Sequence, residues 1–152
     1  MKHEQAFKFY NHYINSLVYI CDTLTKKDSI VISKFSKNSS ILQKTIKSPR
    51  MVNYGNGSFV CVTDVREEFY NSRGLIEYVR NYYESCSVKI DFQNEDIAHA
   101  YLYERFEYDE DDNLIIRVFN ISTPMTIKET YTIENAKWIK KRERINETDF
   151  WK

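Results

Sequence analysis

Glu104 is the residue of this chain whose setting best suits proton transfer. It interrupts an apolar series, Ala98, Ala100, Leu102 and Phe106, on one side of an alternating run from Ile97 to Tyr108. Carboxyls are rarely buried, because ionising one in low dielectric is costly. Glu104 must therefore be paired, protonated or at the mouth of a cavity, where a raised pKa suits a general acid or base. Asn120 breaks the face of Leu114, Ile116 and Val118 in the same way, and Glu129 shares a face with Tyr131 in ETYT. If these strands line one concavity, the four groups converge on a ligand pocket. Glu104 would then transfer the proton, Asn120 and Tyr131 would orient a substrate oxygen, Glu129 would line the site, and Tyr13 or Leu17 would form an apolar wall. The competing reading is a set of satisfied hydrogen bonds at the rim of the core.

Other chemistries find less support. His3, His12 and His99 are scattered, with no HxxxH or CxxC spacing, so no metal and no cofactor is expected. Gly55 and Gly57 belong to a hairpin rather than a phosphate cradle. Cys21, Cys61 and Cys86 lie among apolar residues and read as buried, reduced thiols. Twenty-two basic residues balance 22 acidic ones, so no global field favours nucleic acid or an anionic membrane. Lys137, Lys140, Lys141, Arg142 and Arg144 cluster beside Trp138, but strand alternation divides them between two faces, as on a solvated edge. The longest apolar stretch, Leu17 to Cys21, is far too short to span a bilayer, and a soluble cytoplasmic protein is expected.

The elements that must position these groups follow from periodicity. The length of 152 residues suits one domain, and 42% hydrophobic with 15% aromatic residues can build one core. Ala6, Tyr10, Tyr13, Ile14, Leu17, Cys21 and Leu24 form one stripe at helical spacing, predicting a long helix from Glu4 to Leu24. Asp28 is placed to cap a short helix in SIVISKFS, and residues 37–50 read as a connection. YGNG is a hairpin between MVN and SFVCVTDV. Ser72 is placed to cap a third helix through Leu75, Ile76, Val79, Tyr82, Tyr83 and Cys86. From there the period changes to two: SVKIDF, IAHAYLYERFEY, LIIRVFNI, TIKETYTI and KWIKKRERI are strands, with DEDDN as a turn. Three Gly and two Pro suggest few tight turns, and no internal repeat is visible. Helices first and strands afterwards predict an α+β domain.

The strands carry aromatics on both sides. Tyr101, Tyr103 and Phe119 are expected on a face covered by a second copy of the chain, giving a homodimer. The alternative is that the tyrosines half-bury their rings and keep their hydroxyls wet.

Four segments, KKDSIVISKFSKNSSIL, SRGLIEYVRNYY, DIAHAYLYERF and YTIENAKWIKKRERI, resemble in order the pieces of the SnoaL-like (polyketide cyclase/dehydratase-like) branch of the NTF2-like superfamily. That resemblance implies a single NTF2-like domain over 1–152, a cystatin-like cone with three N-terminal helices packed on a curved, mostly antiparallel sheet. It also implies a pocket for a small apolar ligand, serving an isomerase, dehydratase or cyclase with general acid/base catalysis, or a non-catalytic binder. The alternative is a non-enzymatic dimeric protein-interaction or scaffold module with a filled cone, its Tyr-rich face or its Trp138 edge meeting the partner.

Overall fold

A computed structural model describes residues 12–53, 55, 57, 59–85, 102–122, 125–146 and 149. They form one antiparallel meander of nine strands: β1 (Ile20–Lys26), β2 (Ser29–Phe35), β3 (Ile41–Asn53), β4 (Phe59–Tyr70), β5 (Ile76–Ser85), β6 (Leu102–Tyr108), β7 (Leu114–Ser122), β8 (Met125–Glu134) and β9 (Lys137–Ile145). The spatial order is the chain order, β1 to β9, in a single sheet. One short helix, residues 12–17, precedes β1.

The expected α+β, NTF2-like cone of three helices on a sheet is therefore incorrect. The predicted first helix is helical at residues 12–17 and becomes β1 from Ile20, while residues 4–11 lie outside the described part. SIVISKF is β2, with Asp28 in the turn before it rather than capping a helix. Residues 41–50, read as connection, belong to β3, and the predicted third helix is β5. SVKIDF and residues 97–101 lie outside the described residues. The YGNG hairpin joins β3 and β4, pairing Asn53 with Phe59, and β7, β8 and β9 run where alternation placed them.

The reason for the misreading is physical. ICDTLTK, SIVISKF and IEYVRNYYES are rich in β-branched and aromatic residues, which fit a pleated surface. Each also mixes apolar and polar residues on both faces. Ile76, Tyr78, Arg80 and Tyr82 alternate with Glu77, Val79, Asn81 and Tyr83, so no clean two-residue period survives and a three-to-four spacing appears by chance.

The meander contains a repeated turn that residue identity conceals. Phe35 faces Ile41, Tyr70 faces Ile76 and Tyr108 faces Leu114, each after a register shift and each closing a loop: 36–40, 71–75 and 109–113. In every loop the first residue's N–H donates to the carbonyl of the fifth, at 2.9 Å for Ser36, 2.8 Å for Asn71 and 3.0 Å for Asp109. The fourth residue donates back to the first and takes positive φ: 62° at Ser39, 78° at Gly74 and 65° at Asp112. The side-chain oxygen of Ser36, Asn71 or Asp109 accepts from the amide of the fifth residue. These are the local bonds that make Ser, Asn and Asp turn formers. The β8–β9 turn likewise holds Asn135 and Ala136 at φ 51° and 62°, the geometry of a two-residue hairpin. Scarcity of glycine thus does not mean scarcity of tight turns.

Residues directly opposite in antiparallel strands share a face, so the register sorts the side chains. One face carries the rows Gln43, Phe69, Tyr78, Arg105, Val118 and Thr45, Glu67, Arg80, Tyr103. The other carries Lys44, Glu68, Val79, Glu104, Phe119, Ile127 and Arg144. Ile14 of the helix joins Phe69, Tyr103 and Val118 in a buried cluster, with Leu42, Tyr78, Ile116 and Ile145 packed against it. Among the described residues no layer of helices covers the sheet.

Two turn substitutions test this backbone account. A Cβ at Gly74 would meet no atom within 4 Å, so Gly74→Ala should lower unfolding free energy by about 1 kcal/mol through positive φ alone. Ala136→Gly should act in the opposite direction by a similar amount. Urea titration of both variants measures the pair.

Candidate functional site

The most elaborate side-chain arrangement centres on Glu129. The β7–β8 register sets Arg117 directly opposite it, and the β8–β9 register sets Arg142 on its other flank. Arg117 Nη1 donates to Glu129 Oε1 at 3.1 Å and Arg117 Nε donates to Glu104 Oε2 at 3.2 Å, so one guanidinium joins two carboxylates. The Tyr131 hydroxyl donates to Glu129 Oε1 at 3.3 Å, and Lys140 Nζ and Arg142 Nε each lie 3.5 Å from Oε2. Glu129 is only 2% exposed. Burial alone would raise its pKa; the hydrogen bond from Arg117, the Lys140 charge and the Tyr131 hydroxyl together outweigh that and hold the carboxyl below its ordinary range. For Tyr131, burial and then the Glu129 charge push the phenol upward. Arg117 and Arg142 also lie over the Phe119 ring, at 4.1 and 5.5 Å from its centroid, which leaves Phe119 8% exposed.

The same device recurs twice. Glu67 accepts from Arg80 Nε at 2.9 Å and from the Tyr82 hydroxyl at 3.0 Å, with the guanidinium 4.7 Å above the Tyr82 ring. Glu68 accepts from Arg66 Nε at 3.1 Å and from the Tyr70 hydroxyl at 3.0 Å. Burial, and next the neighbouring carboxylate, raises both the Tyr70 and the Tyr82 phenols. In each clamp the carboxylate is an acceptor held between a cation and a neutral phenol. This arrangement ties each of the three carboxylates to at least two neighbouring side chains.

The predicted site residues are thus dispersed. Glu104, Glu129 and Tyr131 do share a face, joined by Arg117, which sequence inspection did not single out. Asn120 is on the opposite face, where its Oδ1 accepts the Tyr103 amide at 2.5 Å. Tyr13 and Leu17 line a cleft of about 600 Å³ with Ile41, Leu42, Tyr70 and Glu77, beside the 36–40 and 71–75 loops. Glu104, Asn120, Glu129 and Tyr131 do not line it. The residues expected to meet a second copy are not one surface either. Glu104 pairs with Phe119, so Tyr103 and Phe119 point to opposite faces, both buried within a single chain, and Tyr101 lies outside the described residues. Cys21 is a free thiol as read but exposed rather than buried, and Cys61 is disulfide-bonded rather than reduced; Cys86 lies outside the described residues. No helix of the described residues is long and apolar enough to cross a membrane.

The clamps end at an outer hairpin of different character. All of β9 from Lys137 to Arg144 is exposed, and among the described residues β9 pairs with β8 alone. Ile133 (60% exposed), Trp138 (49%) and Ile139 form an apolar tip beside the turn. Trp138, Lys140, Arg142 and Arg144 share the face of Phe119 and Glu129, and Lys137, Ile139, Lys141 and Glu143 take the other. Lys140 and Arg142 reach Glu129, whereas Lys137, Lys141 and Arg144 have no ion-pair partner among the described residues.

No family model, no curated protein and no solved structure matches the chain.

If Glu129 is the hub of its clamp, Glu129→Gln should cost about 2 kcal/mol at neutral pH, the range for hydrogen bonds to a charged group. A depressed folded-state pKa contributes stability above the unfolded value, near 4.5, that is lost as pH falls through the folded value. The variant should therefore lose less stability than the parent below pH 4.5. Denaturation midpoints across the acid range measure the difference.

Proposed function

We propose that this chain is a non-enzymatic protein-interaction module that binds through its outer hairpin, β8–β9. The observation that carries this reading is the exposed apolar tip of Ile133, Trp138 and Ile139 on a strand edge whose cations outnumber their local carboxylates. Trp and Arg are the side chains most often found at binding hot spots, and a Trp left half-exposed on a rigid strand is ordered in advance of binding. Elsewhere on the sheet Glu67, Glu68 and Glu129 are each held by a guanidinium and a phenol, so the three clamps support a scaffold rather than a reaction centre. The Tyr13–Leu17 cleft has apolar walls but draws on the helix at residues 12–17 and two turns, and none of the clamped carboxylates lines it.

A photo-crosslinking residue in place of Trp138, introduced in cells that make the protein natively, should give a protein adduct of discrete mass. The same residue in place of Leu24, exposed on the opposite edge in β1, should not. Absence of the adduct at 138, or equal adducts at both positions, refutes the assignment.

A further inference from the structure

The outer edge of β9 also specifies what it can bind. We infer that β9 accepts an extended, acidic peptide strand that adds antiparallel to the sheet as a tenth strand; this rests on the outer hairpin being the binding surface. An edge strand turns every second residue's N–H and C=O outward, so an added strand gains main-chain hydrogen bonds wherever it lies, and side chains select which strand is accepted. Opposed residues share a face and meet directly, so β9 dictates its complement position by position.

β8 shows the complement on the inner flank. It sets Glu134 against Lys137, Ile133 against Trp138, Glu129 against Arg142 and Lys128 against Glu143. The outer flank presents the same side chains with more positive charge to balance, because Lys137, Lys141 and Arg144 have no ion-pair partner within the described residues. A fitting strand carries acids opposite Lys137, Lys140, Lys141, Arg142 and Arg144, a base opposite Glu143, and aliphatic residues opposite Trp138 and Ile139. Antiparallel to β9, its acidic half comes first and its apolar half ends beside the β8–β9 turn.

The same charges exclude the obvious competitor. Two β9 edges paired antiparallel along their full length oppose Lys140 to Arg142 and Lys141 to its own copy, and like charges across a strand pair are destabilising. Charges whose only role was to keep the edge solvated would not need the apolar tip; the tip gives a bound strand an anchor, and the cations select which strand is bound.

The probe is a blocked peptide, Val-Glu-Lys-Glu-Glu-Glu-Val-Val-Glu, one residue opposite each of Ile145 back to Lys137. Calorimetric titration should show binding, and hydrogen exchange should show new protection of β9 amides with none at β1. A scrambled peptide of equal charge, and one N-methylated on alternate residues of the pairing edge, should each bind at least about tenfold more weakly, the change expected from one or two lost charge-assisted or main-chain hydrogen bonds. Lys141→Glu, at an exposed position without an ion pair, should weaken binding similarly and recover it when the facing glutamate becomes lysine. Equal binding of the scrambled peptide or of a single-stranded oligonucleotide, protection away from β9, or no rescue by the charge swap overturns the inference. If the peptide fails while Trp138 still crosslinks to a protein, the surface stands and its acidic, strand-adding partner is rejected.

Discussion

A sheet with one layer must bury its apolar groups beneath its own long side chains. That constraint organises the structure. Among the described residues no helical layer covers most of the sheet: Phe119 is shielded by the guanidiniums of Arg117 and Arg142, and Val79, fully buried, lies in a row between Glu68 and Glu104. Arg and Glu can do this because their stems are aliphatic and their heads polar. Their heads must then be neutralised close to the sheet surface, and the Glu–Arg–Tyr clamps do so. Each clamp combines an ion pair with a phenol hydrogen bond across adjacent strands or between residues two apart on one face. A lone exposed pair contributes little, but a carboxylate held by several donors fixes both its neighbours and the register beneath them.

Among the described residues strand pairing runs only between sequence neighbours, so the meander is quasi-one-dimensional in the manner of repeat proteins. The three equivalent loops starting at Ser36, Asn71 and Asp109 are its punctuation, and Arg73 ties two of them by donating to the Asp109 carbonyl and pairing with Asp112. Such an architecture leaves two edges to manage. The β1 edge is exposed throughout, with Asp22 and Lys26 as its charged residues. The β9 edge carries five cations and an apolar tip. Among the described residues both strands pair on one side alone, and the two edges differ in chemistry.

What could be read from the chain was uneven for a definite reason. TIKETYTI and KWIKKRERI alternate strongly, and Asn135 with Ala136 interrupts them, so β8 and β9 were legible. So was the β3–β4 hairpin, through Gly55 and Gly57. ICDTLTK, SIVISKF and IEYVRNYYES were misread as helical because neither face of a one-layer sheet is purely apolar, and the period-two signal vanishes when both faces are mixed. The repeated turn escaped notice because Ser, Asn and Asp perform the same hydrogen bonding at its first position, and Ser, Gly and Asp the same backbone bend at its fourth.

Of the candidate site, Glu104, Glu129 and Tyr131 could be assigned to their faces from alternation alone, and Glu129 with Tyr131 to one face of one strand. Local composition also determined which residues bend: Asn71 with Gly74, Asp109 with Asp112, Asn135 with Ala136. Only the tertiary structure decided which carboxylate meets which cation. Register sets Arg117 between Glu104 and Glu129 on one face, and Arg80 against Glu67 on the other, where Asn120 also lies. Pairing is a long-range property fixed by how strands slide against each other, and a shift of one residue would have sent every one of these side chains to the other face.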